Sequence, residues 1–333
     1  MRKSVIKRLA LCLAACLLTG GLVGCSHFKN AEIVLTTGLT EKELFKVGSS
    51  VCTLPEAMIY VMDYQTQYES VYGVEMWEHD FGGITLEEYV KNIIVSQLAS
   101  MKAVTLLAKD YEVELTEAER ERVKKAAGEY YQSLNPKALE YLGVEREDVE
   151  KLYGDHVLSR KVYQEITKNV NTEVSDDEAR IITIQQIKVD SRESGENILE
   201  RLEEGKEFLT LASVYSQDSQ LSYTFGRGEK DAAYEEAAFS LEKDAVSGVI
   251  EGEDGFYILK CVDNFDREAT EANKVTMVER RRDEIFSKVY EELIANTPSE
   301  FNSRLWEQVH FEDWTDEDEQ AGNFLEIYHQ YFE

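Results

Sequence analysis

Two periodicities divide the chain. From Thr53 to about residue 178, apolar side chains recur three and four positions apart, the spacing that gathers them on one face of an α-helix. Leu54, Ala57, Met58, Val61, Tyr68 and Val71 make the first stripe. It follows Thr53-Leu54-Pro55-Glu56, a capping box with proline in the first turn, where no backbone N–H is needed. Thr85-Leu86-Glu87-Glu88 opens a second helix with Tyr89, Val90, Ile93, Ile94, Met101 and Val104 on one face. Thr116-Glu117-Ala118-Glu119 starts a third, and Ser175-Asp176-Asp177-Glu178 repeats the signature. Ahead of these helices, Ile33 to Leu35 and Leu44 to Cys52 contain strand-like pieces.

Beyond Glu178 the texture changes. Ile181 to Val189 is alternating and β-branched, which predicts a strand. A helix carrying Ile198, Leu199 and Leu202 stops at Gly205, and another from Phe208 turns Leu211, Ala212 and Tyr215 inward. Gly226-Arg227-Gly228 marks a turn, Tyr234 to Leu241 a short helix, and Gly255 to Val262 a closing strand. From Glu271 the helical period returns at Val275, Val278, Ile285, Phe286, Val289, Tyr290 and Leu293. A lone helix cannot bury such a stripe, so it is expected to dock back onto the earlier helices. The expected fold is a mainly α domain, residues 33–179 plus 268–333, completed by a C-terminal helix and interrupted by an inserted α+β domain at 180–267. The tail adds an acid run, Asp313 to Glu319, expected to be solvated, and an amphipathic end at Phe324, Tyr328, Tyr331 and Phe332.

The first residues add an export signal. Arg2, Lys3, Lys7 and Arg8 precede the apolar run Leu9 to Leu18 and a small-residue stretch, the order of a signal peptide over residues 1–24. The run is about half the ~20 residues that a spanning helix needs. Leu22-Val23-Gly24-Cys25 resembles the bacterial lipobox, which implies that Cys25 becomes an acylated N-terminus on a tether of residues 25–32. The alternative is secretion after cleavage near Gly24, without lipid.

Composition narrows the chemistry. The 333 residues hold 65 acids against 36 Lys plus Arg, a formal charge of −29, which disfavours nucleic-acid partners. Apolar residues at 43% suffice for a core. After export only Cys52 and Cys261 remain as thiols, expected to be buried and unpaired, with one bridge as the alternative. No metal-spaced histidines and no phosphate-binding loop occur, so no metal or cofactor is expected. Nothing singles out a carboxylate pair or a nucleophile elbow for a hydrolase. Tyr60, Tyr64, Tyr68 and Tyr72 recur every four residues and read as a packed or half-exposed stripe, or else as an apolar cradle for unfolded chains.

Particular segments then carry a resemblance. Residues 90–178 resemble the N-terminal chaperone domain of SurA-type and PrsA-type folding factors, chiefly through Ala108-Lys109-Asp110-Tyr111-Glu112-Val113-Glu114-Leu115-Thr116 and Leu142-Gly143-Val144-Glu145-Arg146-Glu147-Asp148-Val149. Residues 181–266 resemble a parvulin-type (PpiC-like) peptidyl-prolyl isomerase domain. The matches are Gly205-Lys206-Glu207-Phe208-Leu209-Thr210-Leu211-Ala212, Tyr215-Ser216-Gln217-Asp218-Ser219, Tyr234 to Leu241 and Gly255-Phe256-Tyr257-Ile258-Leu259-Lys260. In that family two histidines, a Cys or Asp, a Met and a Phe surround the prolyl substrate. By motif these positions fall on Gln186 and Tyr257, Asp218, Lys230 and Tyr234, with Phe239 as a further expected substrate contact. Only Asp218 keeps the family's residue. All five histidines, His27, His79, His156, His310 and His329, lie outside residues 180–266.

The resemblance therefore implies a membrane-anchored extracytoplasmic chaperone, held by lipid on the outer face of a bacterial membrane, with a degenerate isomerase site. Its partners would be unfolded or proline-containing exported polypeptides. An active isomerase working through Asp218, and a non-enzymatic binding lipoprotein of the cell surface, are the alternatives.

Overall fold

The computed structural model describes residues 38–73, 76–80, 82–311 and 323–333. The expected signal at 1–24, Cys25, the tether at 25–32, the strand piece Ile33 to Leu35 and the acid run Asp313 to Glu319 lie outside the described residues. The chain is mainly helical with an α+β insertion. It divides into two units, one holding the residues up to Asn169 and from Ile285 onward, the other Val170–Glu284.

The first unit contains α1 (Leu54–Tyr72), α2 (Leu86–Leu106), α3 (Glu117–Ser133), α4 (Pro136–Leu142) and α5 (Arg146–Thr167). The boxes at Thr53, Thr85 and Thr116 form as the spacing predicts, each threonine accepting from the N–H three residues on while the glutamate reaches back. Asn135 caps α4, and Gly143 ends it in the left-handed region, at φ 60°. Beside the helices, β1 (Glu43–Val47) pairs antiparallel with both β2 (Ser50–Thr53) and β7 (Ser299–Phe301). Three residues carry too little alternation for β7 to show in sequence.

The core of this unit collects Ile59 and Val61 of α1, Ile94 and Leu98 of α2, Leu152 and Tyr153 of α5, and Phe324. After the short α11 (Ser303–Glu307), Phe324 begins α12 (Phe324–Phe332), the amphipathic end, and stacks on Tyr153 with ring centroids 4.2 Å apart. The long helix α10 (Arg267–Asn296) starts in the second unit and ends in the first. There Phe286, Val289, Tyr290 and Leu293 pack with Val104 of α2, Leu107 just past its end, and Val162 and Tyr163 of α5.

Some stripe positions face solvent instead. Val275 is 64% exposed, Ile285 40%, Val71 58% and Tyr89 43%. Ile285 sits ~100° round the helix from Phe286, and Val275 lies ~16 Å along it from that contact. A sequence stripe thus marks a broader band than the neighbours cover. A buried ion cluster lies under α1: Lys102 donates to Glu56 at 2.6 Å and to Asp155 at 2.5 Å. Burial alone would lower the Lys102 pKa, but the two carboxylates outweigh it and hold the ammonium charged.

The second unit begins with α6 (Asp176–Ala179), a single turn capped by Ser175. It continues with β3 (Ile182–Val189), α7 (Arg192–Glu203), α8 (Phe208–Tyr215), β4 (Ser222–Phe225), α9 (Ala232–Ser240), β5 (Ile250–Gly252) and β6 (Gly255–Asp263). The sheet is antiparallel throughout, in the order β4-β3-β6-β5. Alternation along β3 and β6 feeds two cores. Ile182, Ile184, Leu259 and Cys261 pack with α9 on one face, while Ile187, Val189 and Ile258 pack with α7 and α8 on the other. Tyr215, expected inward, is 40% exposed at the end of α8, where the Arg201 guanidinium lies over its ring. Cys52 and Cys261 are buried free thiols. Among the described residues no helix is long and apolar enough to cross a membrane.

Candidate functional site

Gln186 occupies an inward position of β3, two residues beyond Ile184, where alternation would place another apolar side chain. It is only 3% exposed, so both ends of its amide need partners. Both find them. The Tyr234 hydroxyl, from α9, donates to Gln186 Oε1 at 2.8 Å, and Gln186 Nε2 donates to Asp218 Oδ2 at 2.8 Å.

Asp218 lies in the loop between α8 and β4. That loop is tied to β3 by Gln217 N–H donating to the Lys188 carbonyl at 2.9 Å and Gln186 N–H donating to the Leu221 carbonyl at 2.9 Å. Its Oδ2 also accepts the Tyr223 hydroxyl at 2.7 Å, and its Oδ1 accepts Gln220 N–H at 3.0 Å. The Tyr223 hydrogen bond, then the Gln220 N–H, hold the Asp218 carboxyl below the usual carboxylate range. Burial and the neighbouring carboxylate push the Tyr223 phenol up to about 12, and burial also raises Tyr234.

Tyr257 sits apart from this chain of hydrogen bonds. Its ring meets Tyr234 edge-on with centroids 5.2 Å apart, but its hydroxyl donates to Asp254, which Lys188 also binds. Burial, then the Asp254 contact, raise its pKa. Phe239 lies in the core beneath Phe225, and the guanidinium groups of Arg227 and Arg180 cover its ring at 4.4 and 5.0 Å. Lys230 places its Nζ 4.0 Å from the centre of the Tyr223 ring.

The structure thus joins Gln186, Asp218 and Tyr234 in one network, with Lys230 beside it. Tyr223 joins the network without standing among the residues expected from sequence, and Lys188 and Asp254 meet Tyr257 instead. Tyr223 has a usable signal in sequence, since Tyr223-Thr224-Phe225 alternates as a strand does ahead of the Gly226–Gly228 turn. Among the described residues, no histidine and no other group titrating near neutral pH joins the network.

The first unit carries a separate cavity of about 520 Å³, walled by Leu54, Pro55, Met58, Tyr141, Leu305 and Val309, with Lys42 and Glu41 also lining it. Of the tyrosine stripe, Tyr60 and Tyr64 are buried, and Tyr68 and Tyr72 are half-buried. Tyr60 shares a 2.6 Å hydrogen bond with His156.

Residues 181–263 match the family model for Rotamase, the PPIC-type PPIASE domain. The chain is 26% identical over 210 residues to the foldase protein PrsA of Halalkalibacterium halodurans, covering 58% of this chain and 61% of that protein. It is 24% identical over 308 residues to the foldase protein PrsA of Caldanaerobacter subterraneus, covering 86% of this chain and 94% of that protein. To foldase protein PrsA 1 of Listeria monocytogenes it is 36% identical over 88 residues, which is 24% of this chain and 30% of that one.

Proposed function

We propose that this chain, a relative of the PrsA foldases with a PPIC-type domain at residues 181–263, acts mainly as a holder of exported unfolded polypeptides, its isomerase chemistry weak or lost. The single observation that carries the reading is the network Tyr234–Gln186–Asp218–Tyr223, which engages these side chains with one another. Rotation about a prolyl bond faces a barrier of ~20 kcal/mol and is helped by polar groups free to meet the twisted amide. Here both ends of the Gln186 amide and both Asp218 oxygens already have partners. A substrate amide can meet only what those bonds leave over, the second Gln186 N–H and the remaining Asp218 lone pair, unless one of them breaks. Each tenfold loss of acceleration corresponds to only ~1.4 kcal/mol, so a few weakened contacts remove most of it.

Holding a client needs none of those groups. Apolar walls such as those of the 520 Å³ cavity in the first unit bury hydrophobic side chains by area alone. The order of charged, apolar and small residues up to Cys25 supports attachment by lipid to the extracytoplasmic face of a membrane, where exported chains emerge. Cys25→Ala is expected to release the protein from the membrane fraction, and unchanged fractionation would remove the anchor from the reading.

The test of the main activity sets prolyl isomerisation of a short peptide beside suppression of aggregation of an unfolded protein. The expected result is marked suppression with slow isomerisation. Rapid isomerisation abolished by Asp218→Ala, with no effect on aggregation, overturns the holder reading in favour of an enzyme.

A further inference from the structure

We infer that Lys230 plugs the site from within, its own ammonium covering the Tyr223 ring face beside Asp218 on which a prolyl side chain would lie. The inference rests on reading residues 181–263 as an isomerase-type binding domain.

Lys230 belongs to the loop between β4 and α9, and the loop is held at several points. Gly226 N–H donates to Glu229 at 2.7 Å, Gly228 N–H donates to Glu235 at 2.6 Å, and Asp231 caps α9 by accepting Tyr234 N–H at 3.1 Å. Gly228 has φ 82°, in the left-handed region that favours glycine. The loop so fixed directs the Lys230 side chain over three rings. Its Nζ lies 4.0 Å from the centroid of Tyr223 and 5.7 Å from those of Phe225 and Tyr234.

Two of these rings carry hydroxyls of the Asp218 network, so the ring faces under Lys230 and the network share residues. In a chain with 65 acids, this ammonium has ring faces as its partners among the described residues and no carboxylate. A π-face attracts a cation, and shedding water strengthens the attraction. At 4.0 Å the cation is in van der Waals contact with the Tyr223 face, and a pyrrolidine ring cannot lie on the same face until Lys230 swings out. The apparent affinity for a prolyl peptide is then the intrinsic affinity multiplied by the fraction of molecules in which Lys230 has left that face.

The experiment uses the full chain and a short Ala-Ala-Pro-Phe peptide, with affinity read by titration. Lys230→Ala is expected to bind the peptide at least about tenfold more tightly than the parent, as removal of a mostly closed state requires. Lys230→Arg, whose guanidinium also stacks on aromatic faces, is expected to stay near the parent value. Affinity of Lys230→Ala equal to that of the parent overturns the plug.

A second measurement needs no variant. Ring currents should shift the Lys230 ε-methylene protons upfield in the free protein, and saturating peptide should move them back. Failure of the signals to respond while the peptide binds also overturns the inference. The plug is read from the ratio of variant to parent affinity, and the holder reading from isomerisation and aggregation in the parent alone, so either can fail without the other.

Discussion

Gln186 is polar in a strand position suited to an aliphatic side chain, and the network it joins explains how a buried amide is tolerated there. Each end of the amide has a partner, so the desolvation cost of ~1 to 3 kcal/mol for an unpaired buried group does not arise. The same pairing sets the pH behaviour of the site. Asp218 is held below the usual carboxylate range, and Tyr223 is raised to about 12. Whatever isomerisation the protein retains should therefore be flat between roughly pH 5.5 and 9, since neither group changes charge there. A step near pH 6.5 in the rate profile would show that a group outside this network carries the reaction. Because the folded pKa of Asp218 is depressed, its stabilising contribution is complete above the unfolded carboxylate range and disappears as pH falls through the lower folded value.

At the scale of elements, one carboxylate meets the start of α12 beside the apolar contacts that hold that helix. Asp63 of α1 is buried and accepts the Phe324 N–H at 2.8 Å, at the start of the helix. Burial pushes its pKa to about 7, although the N–H groups of Phe324 and Leu325 work the other way. The unfolded carboxyl ionises near the usual ~3.9, so raising the pH from there through 7 favours the unfolded chain, and the penalty is fully present above 7. His156 has the opposite slope. Burial lowers its pKa to about 3, and stability is lost as pH falls below the unfolded value near 6.5. The two contributions oppose each other between about pH 4 and 6.5.

Asp63→Asn should remove one of them. Each tenfold difference in proton affinity between the folded and unfolded chain is worth ~1.4 kcal/mol, so the variant is expected to gain on the order of 2 to 4 kcal/mol relative to the parent between pH 4.5 and 7.5. Urea melts at the two pH values measure this, and a constant difference between variant and parent would show that Asp63 ionises normally.

For the whole molecule, the two units predict different responses to cutting the chain. Residues 170–284 contain a four-stranded sheet with a core on each face and are expected to fold alone with a cooperative melt. A chain ending at residue 284 loses Phe286, Val289, Tyr290 and Leu293 from the α2–α5 core, the β7 partner of β1, and Phe324 from the main core. Large-to-small changes in cores cost ~2 to 5 kcal/mol each, so the loss of several apolar side chains should leave the remaining first unit without a cooperative transition. Two melting transitions in that truncated chain, both at the parent's temperatures, would contradict the assignment of the C-terminal segments to the first core.

The sequence by itself determined what local rules govern. Helix starts follow from side chains three residues apart, as at Thr53 and Glu56, and the change from helical spacing to alternation marks the α+β segment from Ile182 to Asp263. The absence of histidine from residues 180–266 and the presence of Asp218 are likewise facts of sequence. What only the tertiary structure decided are pairings between distant residues. Gln186 meets Asp218 across 32 positions and Tyr234 across 48, and β7 joins β1 from near the other end of the chain. No periodicity encodes such contacts, because they depend on how strands register and where loops are tied. The same holds for the Lys230 ammonium, which the family motif puts at the site but only a short loop sets over three rings, and for Asp63, whose burial against Phe324 turns an ordinary carboxyl into one that ionises near neutral pH.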